Sequence, residues 1–128
     1  MKWCGRELVR NPLYIGLCLS EEKFAKEMKR MRIKNPPSFI PNSQSNATAH
    51  FFVNGGQESA IVCLGKHSDQ DPIAVAGLLV HEAVHIWQAI KNNIGEKSPS
   101  AEFEAYSIQA ISQQLMCAYQ ALTNKPIV

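Results

Sequence analysis

An α+β domain is predicted by three features of the chain. Two β-rich runs, "AHFFVN" and "AIVCLG", flank the turn-forming stretch "GGQES". Asp71-Pro72 is a strong helix start ahead of a long apolar run, and Ser98-Pro99 repeats that signal ahead of another. At 128 residues and 45% hydrophobic, the chain has the length of one ordinary domain and can bury a core without disulfides. No internal repeat, low-complexity tract or composition break divides residues 1–128, so a single domain is expected.

Taken in order, the elements begin with the apolar run "LYIGLCLS". Basic residues precede it, as in a signal peptide. It is only eight residues long, however, follows Pro12 and lacks a small-residue cleavage site. It is also too short to span a bilayer, so a core strand is the expectation. In "SEEKFAKEMKRMRIK", Phe24, Met28 and Met31 recur at helical spacing, with Ser20 as cap, Glu21 and Glu22 at the start and Lys29, Arg30, Arg32 and Lys34 at the end. Three prolines in "NPPSFIPNSQSN" then predict a surface loop. Gly55 and Gly56 should turn an antiparallel hairpin within about residues 49–65. The helix after Asp71 should run to about Asn93, with Gly95 as its stop, and the last helix to about Leu122, before Asn124 and Pro126.

Charge excludes little and names no partner. Thirteen Lys and Arg against eleven Asp and Glu give a formal +2, too weak a balance to draw in nucleic acid or an anionic membrane. The basic helix end at residues 26–34 reads as a solvated face, because no aromatic or glycine pattern accompanies it. Cys4, Cys18, Cys63 and Cys117 are widely spaced with no CxxC pair, which suggests mostly buried free thiols and a cytoplasmic protein.

The chemistry sits in "LLVHEAVHIWQ", residues 78–88, where His81, Glu82 and His85 interrupt the most apolar segment. Helical residues four apart differ by about 40° in azimuth and about 6 Å in height, so the two imidazoles project side by side and can share one zinc ion. Glu82 is turned by about 100° from His81, beside the metal rather than on it, where it can take a proton from a zinc-bound water. Histidines on a buried helix can simply bond to carbonyls. A carboxylate in the same register cannot be buried cheaply without a cation or a dense hydrogen-bond network.

A catalytic zinc site needs a third protein ligand. Glu102 and Glu104 are the candidates on the last helix, and periodicity separates them. Glu104 shares a face with Ile108, Ile111, Leu115, Ala118 and Leu122, whereas Glu102 lines up with Tyr106, Gln109 and Gln113. A carboxylate on the core stripe is costly unless it has a task, so Glu104 is the expected ligand. Eighteen residues separate it from His85, giving HExxH-x18-E.

With "HEAVH" followed by Glu104 on a second helix, the chain resembles the gluzincin zinc peptidases. More loosely, it resembles small single-domain metallopeptidases encoded by bacteriophages. The resemblance covers about residues 50–120 and implies a zincin-like domain, in which a short antiparallel sheet or hairpin packs on an active-site helix and a C-terminal ligand helix. It implies one Zn2+ per chain held by His81, His85 and Glu104, with Glu82 as the catalytic general base. The expected partner is a peptide or protein substrate rather than nucleic acid or membrane, and the expected location is the cytoplasm, of a bacterial host if the chain is phage-encoded. Glycine at 88 and histidine at 91, which the metzincin pattern requires, are missing, as is the second lobe of large gluzincins.

In zincins the strand before the active-site helix pairs with extended substrate, and "NATAHFFVN" is placed to do so. His50 on that strand is either an oxyanion stabiliser or a strand-edge residue. Tyr106 should point away from Glu104. Gln88, one turn past His85, could orient that ligand, Trp87 should pack, and His67 lies in a polar loop. The competing class is a non-catalytic binding or assembly module that keeps a zincin core. The intact Glu82 favours the enzyme.

Overall fold

The computed structural model describes residues 1–4, 12–42 and 44–124. The elements are β1 (Lys2–Trp3), β2 (Leu13–Cys18), α1 (Glu21–Arg30), β3 (Ala47–Asn54), β4 (Gln57–Leu64), a 3₁₀ turn (His67–Asp69), α2 (Pro72–Asn93) and α3 (Ala101–Thr123). The α+β class read from the sequence is observed. Most of the stretch preceding the apolar run in the signal-peptide reading, residues 5–11, and Pro126 of the carboxyl-terminal stop lie outside the described residues.

Local chemistry accounts for most boundaries. Ser20 caps α1 by accepting from the Lys23 amide, and Asp71 caps α2 by accepting from the Ile73 amide with Pro72 at the first helical position. Gly95, at a φ of +75°, closes α2 as its amide donates to the Asn92 carbonyl and Glu96 reaches back to Lys91. Gly55 and Gly56 both have positive φ, so the hairpin turns in two residues and Asn54 pairs directly with Gln57. Gln57–Ser59, expected in the turn, therefore belong to β4. The cap of α3 is Ser100, which accepts from the Phe103 amide, and not Ser98.

The strands form one sheet in the order β1-β2-β4-β3, with β2 parallel to β4 and the other neighbours antiparallel. The expected antiparallel hairpin is thus half of a mixed sheet. The crossover from β2 through α1 and the proline-bearing loop brings "LYIGLC" alongside β4. A central parallel strand is covered on both faces, which explains its nearly unbroken apolar run. On one face Ile15, Leu17, Val62 and Leu64 pack with Val75, Leu79, Ile86 and Trp87 of α2 and Ile111 and Leu115 of α3. On the other, Cys18, Ile61 and Cys63 meet Phe24, Met28 and Met31. By length and composition α2 could cross a membrane; here it is the core helix, its apolar side spent on the sheet and α3.

At Gly16 on β2, a Cβ atom would meet Met1 Cε at 2.9 Å and the Trp3 ring at 3.0 Å. Gly16→Ala is expected to lower stability by about 1–3 kcal/mol through this overpacking. Denaturant unfolding checks it, and a variant as stable as wild type would mean that β1 does not pack on β2 this closely.

Candidate metal centre

His81 and His85 stand one turn apart on the exposed flank of α2, ring centroids 4.9 Å apart, with their Nε2 atoms 3.3 Å from each other. Two nitrogens each about 2.0–2.1 Å from a tetrahedral zinc stand about 3.3 Å apart. The pair therefore already has the separation of two ligands of one ion. One ring donating N–H to the other suits the same distance. Gln88 Oε1 lies 3.3 Å from His85 Nδ1; in the tautomer with the proton on Nδ1, that N–H donates to Gln88 and Nε2 keeps a lone pair, free to ligate an ion or to accept from His81. Through this contact Gln88 would orient His85, the part its spacing suggests.

Glu82 lies on the next azimuth inward, only 5% exposed. Burial pushes its carboxyl above the usual glutamate range, and the neighbouring His81 and His85 and hydrogen bonding from the Ala49 backbone amide oppose that rise. Ala49 belongs to β3, the strand at the free edge of the sheet. The sequence had marked this strand as a substrate rail. The pairing of its amide with Glu82 was invisible there, because a backbone group has no residue signature. A carboxylate made more basic by burial beside two imidazoles, with the outer edge of β3 next to it, can accept a proton from a water held at the imidazoles.

Glu104 does not join this cluster. Its Oε2 accepts the Trp87 indole N–H at 2.9 Å, and Phe103 sets its ring edge-on to the same indole. Trp87 is about 200° around α2 from His85, so α3 meets α2 on the flank opposite the histidines. Among the described residues, no three His, Cys, Asp or Glu side chains come together as a metal-holding group. Periodicity did rank the two glutamates correctly by burial, with Glu104 half-buried and Glu102 exposed.

The remaining candidates lie elsewhere. His50 projects from the other face of β3, stacked on Phe24 at 5.2 Å with Nε2 bonded to the Phe39 carbonyl at 3.0 Å, which removes the oxyanion reading. Alternation along a strand sends His50 to the face opposite Ala49. Tyr106 is exposed, and His67 Nδ1 meets the Tyr119 hydroxyl at 3.1 Å. No family model, curated protein or solved structure matches this chain.

The raised Glu82 pKa has a stability consequence in chelator-treated protein. An unfolded glutamate titrates near 4.3, so the folded chain holds this proton more tightly, and the stability it contributes is lost as pH rises through the folded value. Glu82→Gln has no such dependence and can still accept from the Ala49 amide. Its stability relative to wild type is expected to increase as pH rises from the unfolded value of about 4.3 through the higher folded value. A gap that stays constant across parallel denaturation series would refute the burial of this charge.

Proposed function

We propose that the protein is a zinc-dependent peptidase that hydrolyses amide bonds in peptide or protein substrates, with Glu82 as general base. The observation that carries this reading is the 3.3 Å convergence of the His81 and His85 Nε2 atoms next to a buried glutamate. His81 and His85 would hold the ion through Nε2; Glu104, the third ligand that the resemblance implies, is engaged with Trp87 on the other flank of α2 and would have to leave that bond to reach it. When bound, zinc supplies a water acidified to a pKa of about 7 and polarises the scissile carbonyl. Gln88 keeps His85 in the ligating tautomer. Glu82 takes the proton of the attacking water and hands it to the leaving amine, and the rise that burial gives its pKa makes it a stronger base than an exposed glutamate. Along β3, Ala47–Asn54, an extended substrate can add as a further strand and bring its carbonyl toward the histidines.

One observation favours a second reading, a non-catalytic zincin-fold binding or assembly module. Bonded to Trp87, the Glu104 carboxylate already has a structural task that accounts for its place on the core stripe.

Two measurements separate these readings. Purified protein is expected to bind about one zinc per chain, and His81→Ala and His85→Ala should each lower occupancy, as judged by metal analysis. If Glu104 is the third ligand, Glu104→Gln lowers occupancy as well. If it serves only Trp87, occupancy is kept while Glu104→Ala costs about 1–3 kcal/mol from the orphaned indole N–H. For catalysis, Glu82→Gln should retain zinc and fold while cleavage of a peptide library falls by about 10²–10⁴-fold. Zinc-loaded wild type that cuts nothing in such a library would sink the peptidase reading.

A further inference from the structure

Away from the histidines, the four thiols fall into two neighbouring pairs. Cys18 and Cys63 are Cα partners on β2 and β4, fully buried under α1, where no solute reaches them. Cys4 and Cys117 are different. Cys4 directly follows β1, its amide donating to the Ile15 carbonyl at 2.7 Å, and its half-buried thiol donates to the Gln114 carbonyl of α3 at 3.5 Å. A helical carbonyl points along the axis toward the following turn, so a sulfur seated on Gln114 lies beside the residue three positions on. That residue is Cys117, and it is exposed. Both cysteines line one open groove of about 780 Å3 between β1 and α3, together with Trp3, Gln113 and Met116.

We propose that Cys4 and Cys117 form a thiol–disulfide exchange site, with Cys117 as the attacking thiol, Cys4 as the resolving thiol and a small-molecule disulfide such as glutathione disulfide as the oxidant. Cys117, open to the groove mouth, loses its proton and attacks one sulfur of the small disulfide. A mixed disulfide forms on Cys117, and the expelled thiolate takes up a proton. Cys4 then loses its proton and attacks the Cys117 sulfur, forming the Cys4–Cys117 bond and expelling the second small thiolate, which is protonated in turn. Two protein thiols are oxidised and one small disulfide is reduced to two thiols.

The division of labour follows from surroundings. Burial, and after it the charge of Cys117, pushes the Cys4 thiol up to about 11, making it a poor first attacker. Once Cys117 is bonded to sulfur, its charge is gone and that part of the penalty disappears. Cys4 then has its target beside it.

The test is incubation of the intact chain with graded ratios of oxidised to reduced glutathione, followed by whole-protein mass measurement and non-reducing peptide mapping. Wild type should lose two hydrogens and yield a Cys4–Cys117 peptide pair, with the mixed disulfide only transient. Cys4→Ser and Cys4→Ala, checked for native melting, should trap glutathione on Cys117 with a lifetime at least about tenfold longer than in wild type. Cys117→Ser should form neither species at that rate. Wild type that stops at the mixed disulfide as the Cys4 variants do would overturn the proposal. So would a map that joins Cys117 to a second copy or pairs Cys18 with Cys63.

Discussion

The candidate site depends on how wide an arc α2 buries. Its buried residues Val75, Leu79, Glu82, Ala83, Ile86, Trp87 and Ile90 occupy an arc of about 140°, with Glu82 at one border and Trp87 at the other. The sheet and α3 together fill that arc, with Leu78 and Ala89 partly buried just beyond the Glu82 border. His85 lies about 60° beyond Glu82 and His81 about 40° further, so both imidazoles remain at the surface with their carboxylate neighbour just beneath them. A wider arc would bury the pair; a narrower one would hydrate Glu82 and return it to the ordinary carboxylate range.

The same border geometry explains the separation of Glu104 from the histidines. α3 packs along the Trp87 side, where an indole N–H inside the core needs an acceptor, and Glu104 provides it. On the other side β3 approaches α2 and offers the Ala49 amide to Glu82. Two glutamates at the two margins of one helix are thus held by different means. One answers a side-chain donor and the other a backbone donor next to a pair of imidazoles. The conflict between local hydrophobicity and buried charge is concentrated at Glu82, the kind of place where functional residues are expected to break folding rules.

How far the sequence could be read depended on whether the cause was local. Asp71-Pro72 and Gly95 bound α2 through contacts within a turn or two, and the paired glycines close the hairpin through their own φ values, so these were legible. The serines at 98 and 100 offer the same capping chemistry, and the second accompanies the packing of Phe103 on Trp87, which no local rule contains. Parallel pairing of β2 with β4 closes across more than forty residues and leaves only an unusually apolar strand as its trace. Of the site, the spacing of His81, Glu82 and His85 was legible because helical geometry alone fixes it. The position of Glu104 was not, since its azimuth on α3 says nothing about which side of α2 the helix will meet.

The outer margin of β3 has a bearing on how the protein behaves in concentrated solution. "ATAHFFVN" contains no proline, lysine, aspartate or glutamate, the residues that usually blunt a free strand, and Phe51 and Val53 are exposed along it. Among the described residues no strand pairs with this edge, and apart from the Ala49 amide held by Glu82 a backbone rail flanked by apolar side chains has no means of distinguishing a foreign segment from the same strand of another copy. Crowding therefore sets short ligands and self-association in competition for a single stretch of backbone. The occupancy of that rail depends on concentration as well as on chemistry.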